Sequence, residues 1–133
     1  MIRTTLPPHR FRLVGLQPTA RRVRFLAAAD LVCIPQRKNN ATVGQVPAQV
    51  FDAMAMARPI IATDVSDLPR ILDGCGWIVE AQQPKELSNA IRHVLASPEQ
   101  RQRRALSARE KCVSEYSWDA MEPVLASVFE AYK

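Results

Sequence analysis

The chain has 133 residues, room for one domain of ordinary size and too few for most two-domain enzymes. Hydrophobic residues at 47% and charged residues at 23% sit near soluble globular averages, which excludes disordered, collagen-like and disulfide-scaffold classes. The net charge of +5 is uneven: the first forty residues hold eight basic residues against one acid, +7, and the remainder ten against twelve, −2.

Four short apolar runs read as strands: residues 11–16, 31–34, 60–63 and 77–79. The middle two are almost continuously apolar and β-branched. That is the pattern of strands buried on both faces of a parallel sheet. Helical patterns alternate with them. The first, over 18–29, is basic, with Val23, Leu26 and Ala27 on its apolar side. In the second, Val46, Val50 and Met54 recur every four residues, and Pro47 fits a first turn, where its missing N–H is no loss. Asp64 and Asp67 are expected to cap a short helix over 68–72. Pro84 can open the next helix, whose face is Leu87, Ala90, Ile91, Val94 and Leu95. Ser97 is the expected N-cap of a densely charged helix reaching about Glu115. Ser117 is the expected N-cap of a final helix with Trp118, Met121, Leu125, Val128, Phe129 and Tyr132 on its apolar face. The expected fold class is α/β: a Rossmann-like parallel sheet of about four strands, with flanking helices and a helical C-terminus, in one domain over 1–133.

Cys33, Cys75 and Cys112 are too scattered for a metal motif, and His9 and His93 lie near none of them. Reduced thiols are expected, with no metal and no cofactor. No apolar run approaches the roughly 18 residues that span a bilayer, and the start lacks a signal-peptide core, so the expected place is the cytoplasm. The basic first forty residues could attract a polyanion, but no helix-turn-helix signature or aromatic stripe accompanies them, so nucleic acid is not an expected partner. Arg101, Arg103 and Arg104 are expected on a solvated helix face. The loop over 36–45 follows the C-terminal end of a parallel strand, the edge where open α/β sheets bind ligands.

The densest block is 46–72. It contains Asp52-Ala53-Met54-Ala55, then Met56, Ala57, Arg58 and Pro59, then Ile60-Ile61-Ala62-Thr63. It resembles the donor-binding region of GT-B glycosyltransferases of the large group 1 family. Phe11-Arg12-Leu13-Val14-Gly15, Ala28-Ala29-Asp30 with the following apolar run to Pro35, and Gly74-Cys75-Gly76-Trp77-Ile78-Val79 match further family segments in order. Ser97-Pro98 and Tyr116-Ser117-Trp118 match its downstream helix breaks, so the resemblance spans residues 10 to 133.

The resemblance implies transfer of a sugar from a nucleotide-sugar donor, of UDP or GDP type, to an acceptor. Asp52 stands where an acidic residue holds the donor ribose; a carboxylate can accept two hydrogen bonds from a vicinal diol. The N–H groups of Ala48, Gln49 and Val50 are candidates to cradle the diphosphate at a helix start. Gln45, Gln49 and Asp52, at i, i+4 and i+7, are expected on one polar face. The turn Leu16-Gln17-Pro18, with Gln17 at its centre, is implied as the contact to the base. No residue is assigned a catalytic role.

The chain also departs from the family. The first of its two glutamates falls on Gly44, and a lysine alternative falls on Gln49. Ala57 replaces a usual glycine, and Arg70 a usual glutamate. The acceptor-binding domain and the first βαβ of the donor domain are not matched. The expected function is therefore a donor half that does not transfer sugar alone. The alternative is a non-enzymatic α/β module that oligomerises or binds a partner. In the doubly wound order 3-2-1-4-5-6, the first strand here would lack its neighbour, and an unpaired edge recruits other chains. A homo-oligomer, or a complex with a separate acceptor-domain chain, is the expected state.

Overall fold

A computed structural model describes residues 7–132. A 3₁₀ turn, Pro8–Arg10, precedes helix α1 (Thr19–Ala28), strand β1 (Val32–Ile34), α2 (Gln49–Ala55), β2 (Ile60–Thr63), α3 (Leu68–Ile71) and β3 (Trp77–Val79). Three further helices follow: α4 (Pro84–Ala96), α5 (Pro98–Tyr116) and α6 (Trp118–Glu130). The sheet is parallel in the order β1-β2-β3. Val32 pairs with Ile60, and Ile61 with Trp77. The α/β class, the flanking helices and the helical C-terminus are as expected.

The strand count differs. Residues 11–16 form no strand. A strand exists through its neighbour's hydrogen bonds, and this run has no pairing partner among the described residues. Gly15 instead turns the backbone at φ 61°, and Leu13 and Leu16 stand in solvent.

All four residues of β2 are buried, whereas β1 and β3 are not buried throughout. Alternate side chains point to opposite faces. On one side Ile60 and Ala62 join Val50, Ala53 and Met54 of α2, Leu68 and Ile71 of α3, and Ala108 and Cys112 of α5. On the other lie Ile61 and the α4 layer with buried Val94. Covering both faces is what makes β2 read as a continuous apolar run.

The cap predictions fare unevenly. The Ser117 hydroxyl accepts the Ala120 N–H at 3.2 Å, as expected. Ser97 holds the cap position of α5, but its side chain makes no capping bond. Asp64 does not cap α3; its carboxylate accepts the Ala81 N–H at 2.7 Å and pins the chain leaving β3. Asp67 holds the cap position of α3 but spends its carboxylate on the Arg70 guanidinium, 2.9 Å away, which holds its carboxyl below the usual range. Arg104 is not merely solvated: it lies over the Trp77 ring, 4.7 Å from the centroid, and donates to the Gly76 carbonyl.

The end of α2 is the tightest local feature. The Arg58 N–H donates to the Ala53 carbonyl at 3.0 Å and the Ala57 N–H to the Met54 carbonyl at 2.9 Å. That bond pair is a Schellman cap, whose closing residue must be left-handed. Here it is Ala57, at φ 49°. Glycine reaches that region freely, while an L side chain there is strained by about 1 kcal/mol or more. Ala57→Gly is therefore expected to raise unfolding free energy by roughly 1 kcal/mol in urea melts. Met54→Ala, at a side chain with no exposure, is expected to lower it by roughly 2–5 kcal/mol.

Candidate functional site

The carboxyl ends of the strands open onto two concavities. One, of about 470 Å³, runs beside β1 and is lined by Leu26, Cys33, Gln36, Gln45, Pro47 and Gln49, among others. The other, of about 400 Å³, lies beyond the end of β2 against the start of α4, with Arg37, Thr63, Gln82 and Gln83 on its walls. The Thr63 hydroxyl, buried, donates to the Gln36 carbonyl at 2.9 Å and so fixes the turn between them. The Gln36 Oε1 is buried with no partner.

The predicted residues divide into three places. Gln45 and Gln49 come together on the wall of the larger groove, although not on one helix as expected. The helix starts at Gln49, so Gln45 stays in the loop, where its N–H donates to the Thr42 carbonyl at 3.2 Å. Pro47 precedes the helix for the same reason. Ala48, exposed, holds the N-cap position just before α2. Val50 is fully buried and its N–H donates to the Pro47 carbonyl at 3.0 Å. Asp52 lies in the first turn of α2, part-exposed, with its carboxylate 3.5 Å from the Arg22 guanidinium of α1. Gln17 sits before α1; its amide donates to the Val14 carbonyl and its Oε1 is buried without a partner.

Arg22 is the polar neighbour that sequence reasoning missed. Its spacing to Leu26, which packs against the core, puts it on the inner face of α1. A basic residue in line with a core residue was the available signal. The pair has a plain chemical consequence. The Asp52 carboxylate is held in place by a cation, and the Nε of Arg22 remains buried and unpartnered. Arg58 sets the position of α1 by donating to the carbonyls of Ala27 and Ala29 at 3.3 Å each.

Cys33 opens into the groove, and the packing around it pushes its thiol above the ordinary value. It is therefore protonated at neutral pH and a weak nucleophile there. Cys75 and Cys112 are buried and also raised by burial. All three are free thiols, and the described residues hold no group of three metal-ligating side chains.

A sequence profile of the family described as "Glycosyl transferases group 1" matches residues 3–97. The chain belongs to this family. Among curated relatives, it is 29% identical over 109 residues to an MMP alpha-(1->4)-mannosyltransferase of Mycolicibacterium hassiacum. That match covers 80% of this chain and 25% of the relative, so the chain spans about a quarter of the relative's length. Among solved structures, sucrose-phosphate synthase from Thermosynechococcus elongatus superposes with a TM-score of 0.82 at 22% identity, over 94% of this chain and 31% of that one. Anabaena HepE in complex with UDP gives 0.66 at 16%, over 81% and 29%. The fold is thus that of a GT-B glycosyltransferase domain. Among the described residues, no helix is long and apolar enough to cross a membrane.

The Arg22–Asp52 pair is half exposed on both sides, a setting in which such pairs contribute about 1 kcal/mol or less. A double-mutant cycle of Arg22→Ala and Asp52→Ala, read by urea unfolding, is expected to give a coupling energy below about 1 kcal/mol.

Proposed function

We propose that this chain is the nucleotide-sugar-binding half of a glycosyltransferase, taking a UDP- or GDP-type donor. What carries the reading is the groove that runs along β1 to the loop beyond its carboxyl end, lined by Gln45 and Gln49, with Asp52 one turn further along α2. Ligands of open α/β sheets lie at that edge. In this reading Asp52 accepts both ribose hydroxyls, sharing them with Arg22, and Gln49 and Gln45 contact the donor along the groove. The exposed start of α2 offers the amides of Ala48 and Gln49 to the diphosphate. Val50 contributes by fixing that first turn, since its own N–H is engaged. Gln17 reaches the base from the segment before α1. HepE, of the same fold, is a complex with UDP, which favours the same ligand class here.

Sugar transfer needs donor and acceptor oriented together. In this reading an acceptor-binding domain supplies the other side of the cleft, and the chain works in a complex, with a separate acceptor-domain chain or as a homo-oligomer. By itself it binds donor without transferring sugar, in the cytoplasm, in the synthesis of a polysaccharide or glycoside.

Cys33 supplies a test that needs no activity. Alkylation of the folded chain is expected to rise with pH as this thiol ionises, being slow at pH 7. At pH 9, saturating UDP or GDP is expected to slow it several-fold by filling the groove. Asp52→Ala is expected to weaken that protection ten- to a hundredfold in nucleotide concentration, the effect of losing charge-assisted hydrogen bonds of about 1.5–3 kcal/mol. An alkylation rate indifferent to every nucleotide would remove the donor reading.

A further inference from the structure

The second concavity at the carboxyl edge, of about 400 Å³ beyond the end of β2, shares Pro35 and Gln36 with the groove beside β1 as a common wall. Two consecutive residues pin its sides. The Thr63 hydroxyl donates to the Gln36 carbonyl at 2.9 Å on one side, and the Asp64 carboxylate accepts the Ala81 N–H at 2.7 Å on the other. Gln82, next to Ala81, lines the space and is held at φ 64°, a left-handed conformation that costs an L residue about 1 kcal/mol or more. Pinned walls and a strained corner are features that gather where a fold is preorganised for a ligand.

The lining has a definite chemistry. Gln36, Gln82 and Gln83 bring carboxamides, which both donate and accept, as sugar hydroxyls do. The Gln36 Oε1 is buried without a partner, and an orphaned acceptor of this kind costs about 1–3 kcal/mol until a donor reaches it. The charged residue of the lining is Arg37. Among the described residues, no acid lines either concavity, and the loop over 36–45 carries Arg37 and Lys38 and no acid. Arg37 lines the second concavity and not the groove. It therefore belongs to the space beyond the one that the nucleotide fills in the proposed function.

From this we infer that the second concavity seats the glycosyl group of the donor, and that this group is a uronosyl group, a sugar bearing a carboxylate. With the nucleotide in the groove, the sugar continues past the shared wall of Pro35 and Gln36. The Gln36 Oε1 accepts one sugar hydroxyl, Gln82 and Gln83 bond others, and Arg37 pairs with the carboxylate. The absence of lining acids leaves nothing to repel that charge. The inference rests on the donor reading of the groove and adds to it the class of sugar.

The test is calorimetric titration of the folded chain at low salt with two matched pairs, UDP-glucose against UDP-glucuronate and GDP-mannose against GDP-mannuronate, and with UDP and GDP as references. In at least one pair the uronate donor is expected to bind about fivefold tighter than the neutral one, the scale of one part-exposed ion pair. Arg37 is exposed, and circular dichroism checks that its variants are folded. Arg37→Gln is expected to bring the two donors of that pair together while leaving the bare nucleotide little changed, and Arg37→Glu to invert their order. Nucleotides that bind while uronate and neutral donors stay equal overturn the inference and leave the donor reading standing. So does an Arg37→Gln chain that loses nucleotide and both donors alike, since the arginine then holds the diphosphate. Flat titrations with every nucleotide and nucleotide-sugar remove the donor reading itself, and the sugar assignment with it.

Discussion

Strand β2 is the member on which the other elements depend. Its four residues have apolar cover on both faces, so α2, α3 and α5 must lie on one side and α4 on the other. Its flanking strands exist only as its partners, β1 through Val32–Ile60 and β3 through Ile61–Trp77. Its last residue, Thr63, reaches across to the Gln36 carbonyl. That one hydrogen bond joins the core to the loop where the groove begins. The position of the candidate site is thus a consequence of how β2 is buried.

Much of this was legible because the signals were local or saturated. Residues 60–63 carry no polar residue but the final threonine, and the strand occupies those positions. Ser117 caps α6 because its hydroxyl needs only the next turn to bond. The run over 11–16 is as apolar as a strand, yet a strand is a property of two segments, and its sequence says nothing of its neighbour. The two aspartates near α3 mislead for a related reason. Both could cap, but the main-chain N–H of Ala81, just after β3, and the guanidinium of Arg70 offered better partners. The family block around Asp52 was legible from its motif, and the profile match agrees. The Arg22–Asp52 pair was not, because it joins residues thirty apart that meet only once α1 lies on α2.

The basic start also gains definition. Of its arginines, Arg22 is committed to Asp52, while Arg21 and Arg24 point away from the body of the chain. The acidic, aromatic α6 is the opposite case, with most of its side chains in solvent. The charge imbalance of the sequence resolves into two separated surfaces of opposite sign. Neither is needed to hold the sheet together. The groove beside β1 lies between that strand, the loop after it and the inner side of α1.

The central claim, that this chain alone holds the nucleotide half of a transferase site, is tested most directly by calorimetric titration of the folded chain with UDP and GDP. The account predicts saturable heat with one site per chain for at least one of the two, much reduced in Asp52→Ala. Flat titrations with both nucleotides, on a chain shown to be folded, would contradict it.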